Sequence, residues 1–435
     1  VTETQPTATL RQTHGFARLW TASTTSAFGT YVTVLALQVI VVDVLKADAF
    51  DVGLVNAARW APYLLFGLLA GVLVDRVRRR PLLVATDALS AVALATIPVL
   101  AATGHLDVGW LVVLMAVFGL CTLVGDAAFQ SFVPRVVPAR LLAPAHARLD
   151  QSDAVAQASG PALAGGLIAV LGAPLAVLVD AVSYLASAVL LATVKVEEPW
   201  PGPRTRGRLH GVGREIADGL RWVYIHPTLR PMAISTHAWF VCSAVAGAVL
   251  TPFALRTLHL SVLALGLALA AAGVGALVGA SFAVRLGERL GAGTVIIAAR
   301  IGTGLAWVLM AVTLFWLPAG TATGGWGGGA AWAVFALAQL LLGLCMGAEN
   351  TNEMAYRQTA TPDGLQGRMN ATMRSVNRAM IVIAAPLGGL LGDAVGYGSA
   401  LVLAGTALVI TALLSIGTRL RGARLGDPQT TDPTT

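Results

Sequence analysis

Gly71-Val72-Leu73-Val74-Asp75-Arg76-Val77-Arg78-Arg79-Arg80 stands between two apolar runs, 53–74 and 81–103. About 20 residues of helix span the ~30 Å hydrocarbon core of a bilayer, so each run has the length of one crossing. The charges between them mark a place where the chain leaves the membrane and turns back on the same side. The pattern recurs outward in both directions. Apolar runs lie at 17–42, 53–74, 81–103, 109–131, 151–172, 174–194, 231–254, 261–285, 291–317, 330–352, 371–393 and 397–418. They are too long for strands and lack period-two alternation, which excludes a β-barrel. The reading is an all-α membrane protein with twelve transmembrane helices, numbered here as spans 1 to 12.

Composition agrees. Of 435 residues, 56% are apolar and only 12% are charged, about half the usual share of a soluble domain. Mean hydropathy is +0.74. This excludes a water-soluble enzyme and a disordered chain. The net charge of +7 comes from 27 Arg and 2 Lys, and their placement gives it a topological meaning. Arg76 to Arg80, Arg135 to Arg148, Lys195 to Arg230, Arg285 and Arg289, Arg357 and Arg368, and Arg419 to Arg424 all fall in alternate connections. The opposite connections hold only Lys46 and Arg256. Basic loops stay in the cytoplasm, so both termini are expected there, and nucleic acid is not needed to explain the charge.

The longest hydrophilic stretch, 195–230, divides the chain into a first bundle, 1–194, and a second, 231–419, followed by a tail, 420–435. Within the divider, 211–224 reads as an amphipathic helix with Ile216, Leu220 and Val223 on one face, lying along the membrane surface. The halves match. Gly119-Leu120-Cys121 recurs as Gly343-Leu344-Cys345 and Pro138 as Pro362, both 224 residues on; Pro161 with Gly165-Gly166 recurs as Pro386 with Gly388-Gly389, 225 residues on. Two pseudo-symmetric six-helix bundles are a transporter plan with the site near midmembrane between them.

The opening segment resembles the loop between helices 2 and 3 of the major facilitator superfamily, G-x-L-x-D-R-x-G-R-R/K. Gly71, Leu73, Asp75, Arg76, Arg79 and Arg80 match, and Arg78 departs where the family has Gly. In span 5, Ala156, Gly160-Pro161, Ala164 and Gly165 are similar to the g-x-x-x-G-P-x-x-G-G pattern of its exporters. Phe16-Ala17-Arg18-Leu19-Trp20 and Val179-Asp180-Ala181 resemble the branch of macrolide and siderophore exporters. The resemblance implies the major facilitator fold, a monomer in a bacterial cytoplasmic membrane, and no cofactor. It implies a gating latch of Gly71, Asp75, Arg76, Arg79, Arg80 and Asp126: Asp75 at the N-terminus of span 11, loop arginines on Asp126, broken when the cytoplasmic side opens. It implies an export motif of Gly160, Pro161 and Gly165, where proline removes a backbone hydrogen bond and small residues admit a neighbouring helix.

Charges inside a bilayer are expensive and mark functional candidates. Arg59, Asp87, Asp126, Asp180 and Glu349 are such charges. Asp87 and Asp180 read as packing partners between helices. Asp150 and Asp153 open span 5, where capping would account for one of them. Proton coupling needs a carboxyl that is neutral in one state and charged in another; Asp126, Asp153 and Glu349 are the candidates. The polar, aromatic faces of spans 1 and 7 nominate Tyr31, Gln38, His237, Trp239 and Phe240, with Arg59, as cavity wall. Ser and Thr of span 1 can equally bond their own helix. The seven histidines are scattered and the three cysteines, Cys121, Cys242 and Cys345, lie in apolar runs, so no metal site is expected. No G-x-x-x-x-G-K-[ST] loop is present, so direct use of ATP is not expected. The expected function is secondary transport, exporting small, largely apolar compounds by alternating access in exchange for protons, as in drug or antibiotic efflux. A siderophore or metabolite exporter, or a solute importer, of the same fold is the alternative.

Overall fold

Inside hydrocarbon a backbone must satisfy its own hydrogen bonds, and long apolar runs therefore become helices. The computed structural model describes residues 15–74, 76–196, 209–316 and 329–425, together with Leu10, Thr13 and Glu198. Thirteen α-helices appear among them: α1 Phe16–Val39, α2 Ala49–Val74, α3 Arg79–Ala102, α4 Val108–Val136, α5 Leu142–Leu171, α6 Ala173–Ala192, α7 Leu209–Ile225, α8 Leu229–Pro252, α9 Val262–Leu290, α10 Ala292–Val312, α11 Gly329–Thr359, α12 Asp363–Val395 and α13 Tyr397–Ile416. All except α7 correspond to the twelve apolar runs. Eleven are long and apolar enough to cross a membrane, and α2, with 26 residues, has the length of a further crossing. Large apolar side chains such as Leu65, Val92, Val170 and Leu414 face outward, as lipid contact requires.

Several helices outrun the apolar stretches. Helix α5 begins at Leu142 and α12 at Asp363, eight or nine residues before the runs at 151 and 371. Hydropathy marks only the part of a helix in hydrocarbon. Asp153 consequently lies about three turns inside α5, and neither it nor Asp150 caps that helix. Helix α7 buries one residue of its expected apolar face and exposes another. Trp222 and Val223 are buried while Leu220 is exposed. Trp222 donates to Thr361 Oγ1 at 3.2 Å, and Asp218 pairs with Arg368 of α12 at 3.0 Å. The helix is docked on α12 and α8 of the second half of the chain. At the turn into α8, the backbone N–H groups of Thr228 and Leu229 donate to His226 Nδ1. Burial holds that imidazole below its ordinary pKa, which keeps it an acceptor.

The two halves repeat in detail. Helices α1, α2 and α3 begin at Phe16, Ala49 and Arg79, each 213 residues before Leu229, Val262 and Ala292, where α8, α9 and α10 begin. Both α1 and α8 end in a five-residue π turn, Ile40–Val44 and Phe253–Thr257. Each turn is followed by a non-glycine residue of positive φ, Lys46 and His259.

With α7 set aside, consecutive helices run in opposite directions. One end of the molecule, the loop end, therefore carries the α1–α2, α3–α4, α5–α6, α8–α9 and α12–α13 connections. The other, the terminus end, carries the starts of α1 and α8 and the end of α13. Helix α1 packs on α5 and α6, α3 on α4 and α6, and α2 on α4; α8 packs on α12 and α13, α10 on α11 and α13, and α9 on α11. Between the halves α2 packs on α12 and α5 on α9. The apolar core follows this arrangement. At the loop end one cluster joins both halves, from Val32, Val42, Val52 and Phe118 to Val249, Phe253, Leu265 and Leu401. At the terminus end the described residues form two clusters. Phe16, Val74, Phe132 and Val194 belong to one, and Trp222, Met232, Ile296 and Met369 to the other. The halves are fused at one end and parted at the other.

Candidate functional site

Beside the parted cores lies a cavity of about 700 Å³, walled by the first half of the chain except for one residue of α12. It runs from Gln38 and Asn56, toward the loop end, to Ala22, Ser23 and Leu191, near the terminus end. Five charged residues line it: Arg59, Asp87, Asp126, Asp153 and, from the second half, Arg378. Tyr31 and Gln38 line it too, so five sequence-predicted residues (Tyr31, Gln38, Arg59, Asp126 and Asp153) share one chamber.

The charges are organised by helix faces. Arg59 of α2 lies 5.4 Å from the Trp60 ring centroid and 5.5 Å from that of Phe118. Arg378 of α12 sits 3.7 Å from the Trp60 centroid. A guanidinium on an aromatic face gains cation–π attraction, more so when water is scarce, and Trp60 serves both cations. Asp126 of α4 accepts from Tyr63 Oη at 2.7 Å. The positive charges of Arg374, Arg59 and Arg378 also bear on it. The Asp126 side chain is open to the cavity. Asp87 of α3 accepts from Ser187 of α6 at 2.6 Å. Asp180 is fully buried behind the wall, accepting from Thr33 at 2.5 Å and Ser183 at 2.9 Å. It ties α6 to α1, the packing role its position predicted.

The gating residues are divided. Asp75 lies outside the described residues. Gly71 falls in the last turn of α2, where side-chain surroundings are likewise not described. Arg76 is exposed and Arg79 buried. Arg80 rests on the end of α6. Its Nε donates to Leu191 O at 3.3 Å, its Nη2 donates to Ala192 O, and its backbone N–H donates to Glu198 at 3.1 Å. A cation on the last carbonyls of a helix is well placed. Asp126 is thus held by Tyr63 and lies in the field of Arg374 and Arg378 of α12.

The export motif lies at two helix contacts. A Cβ on Gly160 would strike Tyr31 of α1, and one on Gly165 would come within 2.9 Å of Val262 O and 3.1 Å of Gly266 Cα on α9. Pro161 sits between them, inside an unbroken α5.

Glu349 is elsewhere. It belongs to a buried cluster built on Arg300, a fully enclosed residue of α10. Arg300 Nε donates to Glu349 at 2.7 Å, Nη2 to Glu353 at 2.9 Å and to Thr236 at 2.8 Å, and Nη1 to Ser235. Arg357 adds a second cation on Glu353 at 3.3 Å. His237 is also outside the cavity lining. Its Nδ1 lies 2.8 Å from Asn377 Oδ1 and its Nε2 2.7 Å from Tyr224 Oη. Asn377 Oδ1 only accepts, so the pattern that satisfies both bonds puts the proton on Nδ1. Trp239 and Phe240 meet edge to face at 4.9 Å, also away from the lining. Arg300, Glu353, Arg374 and Arg378 were missed by the sequence reading. Arg300 stands alone within an apolar run, and the rule that selected Arg59 would have selected it. No group of three potential metal ligands occurs among the described residues.

A family model described as transmembrane secretion effector matches residues 4–433. Over 229 residues the chain is 31% identical to the multidrug efflux pump Tap of Mycolicibacterium fortuitum, covering 49% of this chain and about half, 53%, of that protein. Over 388 residues it is 27% identical to Tap of Mycobacterium tuberculosis, covering 85% of each. Among solved structures, a bacterial homologue of the iron transporter ferroportin in an inward-facing state superposes with a TM-score of 0.70 at 16% identity, over 95% of this chain and 99% of that one. The nucleoside transporter NupG gives 0.70 at 10% identity, over 92% and 98%. These likenesses establish the fold.

Proposed function

Because the chain belongs to the transmembrane secretion effector family of major facilitator transporters, we propose that it exports small, largely apolar compounds from a bacterial cytoplasm, as drug or antibiotic efflux. The mechanism is alternating access between bundles 1–194 and 231–419, acting as a monomer in the inner membrane. The observation that carries this reading is the single core at the loop end beside two separate cores at the terminus end. The arginine-rich connections support a cytoplasmic terminus end. In this state the cavity then loads from inside. Its apolar and aromatic walls accept a hydrophobic body, and its carboxylates and guanidiniums meet polar groups. The kinship with Tap supports export as the direction.

Proton antiport supplies the driving force. Asp126 and Asp153, which face the cavity, are the coupling carboxyls; Glu349, held by Arg300, has a supporting place in the second bundle. A proton on Asp126 removes its attraction for the three arginines, two of them, Arg374 and Arg378, on α12. The bond between carboxyl charge and transport is thus a bond between the bundles. Closing the cytoplasmic side would bring the 71–80 loop, with Asp75, against α12 as the latch.

In everted vesicles, efflux substrate should accumulate when a pH gradient is imposed and cease when it is collapsed. Accumulation indifferent to the gradient rules out antiport. Asp126→Asn should lower gradient-driven transport about ten-fold, since a charge-assisted hydrogen bond contributes about 1.5–3 kcal/mol and 1.4 kcal/mol is ten-fold. Membrane insertion should be unchanged. Wild-type transport by this variant removes Asp126 from the mechanism.

A further inference from the structure

The loop end is held by groups that cross between the halves, and one is a helix cap supplied from the far side of the chain. The first N–H groups of a helix have no partner inside it and favour a carboxylate. At α2 these are Ala49 and Phe50. Their caps come from Asp393, near the end of α12: Ala49 N–H donates to Oδ1 at 3.1 Å and Phe50 N–H to Oδ2 at 3.0 Å. Both carboxylate oxygens are used, across 344 residues of sequence. Asp48 stands at the N-cap position of α2, with its carbonyl accepting from Val52 N–H, and Asp51 lies in the first turn. The helix thus has acids of its own beside these N–H groups, and still α12 provides the contact.

Neighbouring bonds fix the position of this contact. Arg256, in the π turn after α8, donates through Nη2 to Val42 O and Ala47 O, both at 2.8 Å. This holds the α1–α2 connection against the second half. Thr251 Oγ1 donates to Gln38 Oε1 one turn deeper. The segment that presents Ala49 and Phe50 is therefore positioned by the same half of the chain that supplies Asp393.

We propose that Asp393 is a positioning residue of the transport cycle, an outer latch whose carboxylate caps α2 only while the loop end is closed. The proposal rests on the alternating-access reading. Opening the loop end separates α12 from the start of α2, so both bonds must break in every cycle. An ordinary N-cap lies within one segment and stabilises both states alike. This one stabilises a single state and so sets their ratio. Removing an N-cap typically changes an equilibrium about five-fold.

The test measures that ratio directly. Spin labels at Thr103→Cys and Ser399→Cys, exposed loop-end positions on the two halves, are introduced with Cys121, Cys242 and Cys345 replaced by alanine. Distance distributions are recorded in nanodiscs for the parent, Asp393→Ala and Asp393→Glu. The parent should show a short-distance majority and a long-distance minority. Asp393→Ala should raise the long-to-short ratio about five-fold at nearly unchanged thermal stability, and Asp393→Glu should restore much of it. An unchanged ratio in Asp393→Ala overturns the latch, as does a lowered melting temperature with no change in ratio. A parent with one distance at the loop end under every pH and substrate condition overturns the alternating-access reading itself, a separate outcome.

Discussion

Arg300→Met should be the most damaging single substitution in the molecule. The side chain is fully buried and holds Glu349, Glu353, Thr236 and Ser235 at once. Methionine keeps much of the volume and none of the charge. Glu353 retains Arg357, whereas Glu349 loses its cation, and its Oε2 is already buried without a hydrogen-bond partner. Leaving one member of a buried pair uncompensated costs about 3–5 kcal/mol. Thermal unfolding in detergent, followed by loss of the monodisperse peak, should show a large drop in midpoint. Adding Glu349→Gln removes the stranded charge and should recover a good part of it. A single variant as stable as the parent would mean that the cluster is electrostatically idle.

The second large effect separates two adjacent glycines. At Gly165 a methyl group would meet the carbonyl of Val262 and Cα of Gly266, whereas at Gly166 nothing lies within 4 Å. The obstruction at Gly165 is backbone, which cannot rotate aside, so α5 and α9 must part. Overpacking of this kind costs about 1–3 kcal/mol, and here the cost falls on the face that closes the loop end. Gly165→Leu should therefore lower transport ten-fold or more while the chain still inserts; Gly166→Leu should be nearly neutral. Substrate efflux normalised to membrane protein measures both. Equal effects at the two positions would contradict the assignment of this contact.

The membrane fold was legible because its cause is local. Apolar runs of crossing length force helices, and arginines between 71 and 80, 135 and 148, and 195 and 230 mark alternate connections. Helix ends beyond the bilayer were not legible. The starts of α5 and α12 at Leu142 and Asp363 are polar helix that hydropathy does not register, and Asp153 was misread as a terminal residue for that reason. The cavity was half legible. Arg59, Asp126 and Asp153 are recognisable as charges in apolar surroundings, but their meeting with Arg378 and Trp60 depends on how α2 packs on α12. Partners are the least accessible information. Nothing local tells that Glu349 faces Arg300 while Asp126 faces Tyr63, or that Asp393 reaches the start of α2. His237 and Trp239 looked like cavity wall by residue type; packing turned them to other neighbours.

On the proposed mechanism, the chamber holding Asp126 is open to one side of the membrane at a time and exchanges sides during transport. Ser26→Cys places a thiol of nearly unchanged size on its wall, in a chain with the native cysteines removed. In sealed vesicles of known orientation, a membrane-impermeant thiol reagent added to the terminus side should label it rapidly in the resting state. Under an imposed pH gradient with substrate present, labelling from the opposite side should rise as labelling from the terminus side falls. Labelling from one side alone under every condition, or from both sides at once, would contradict the account.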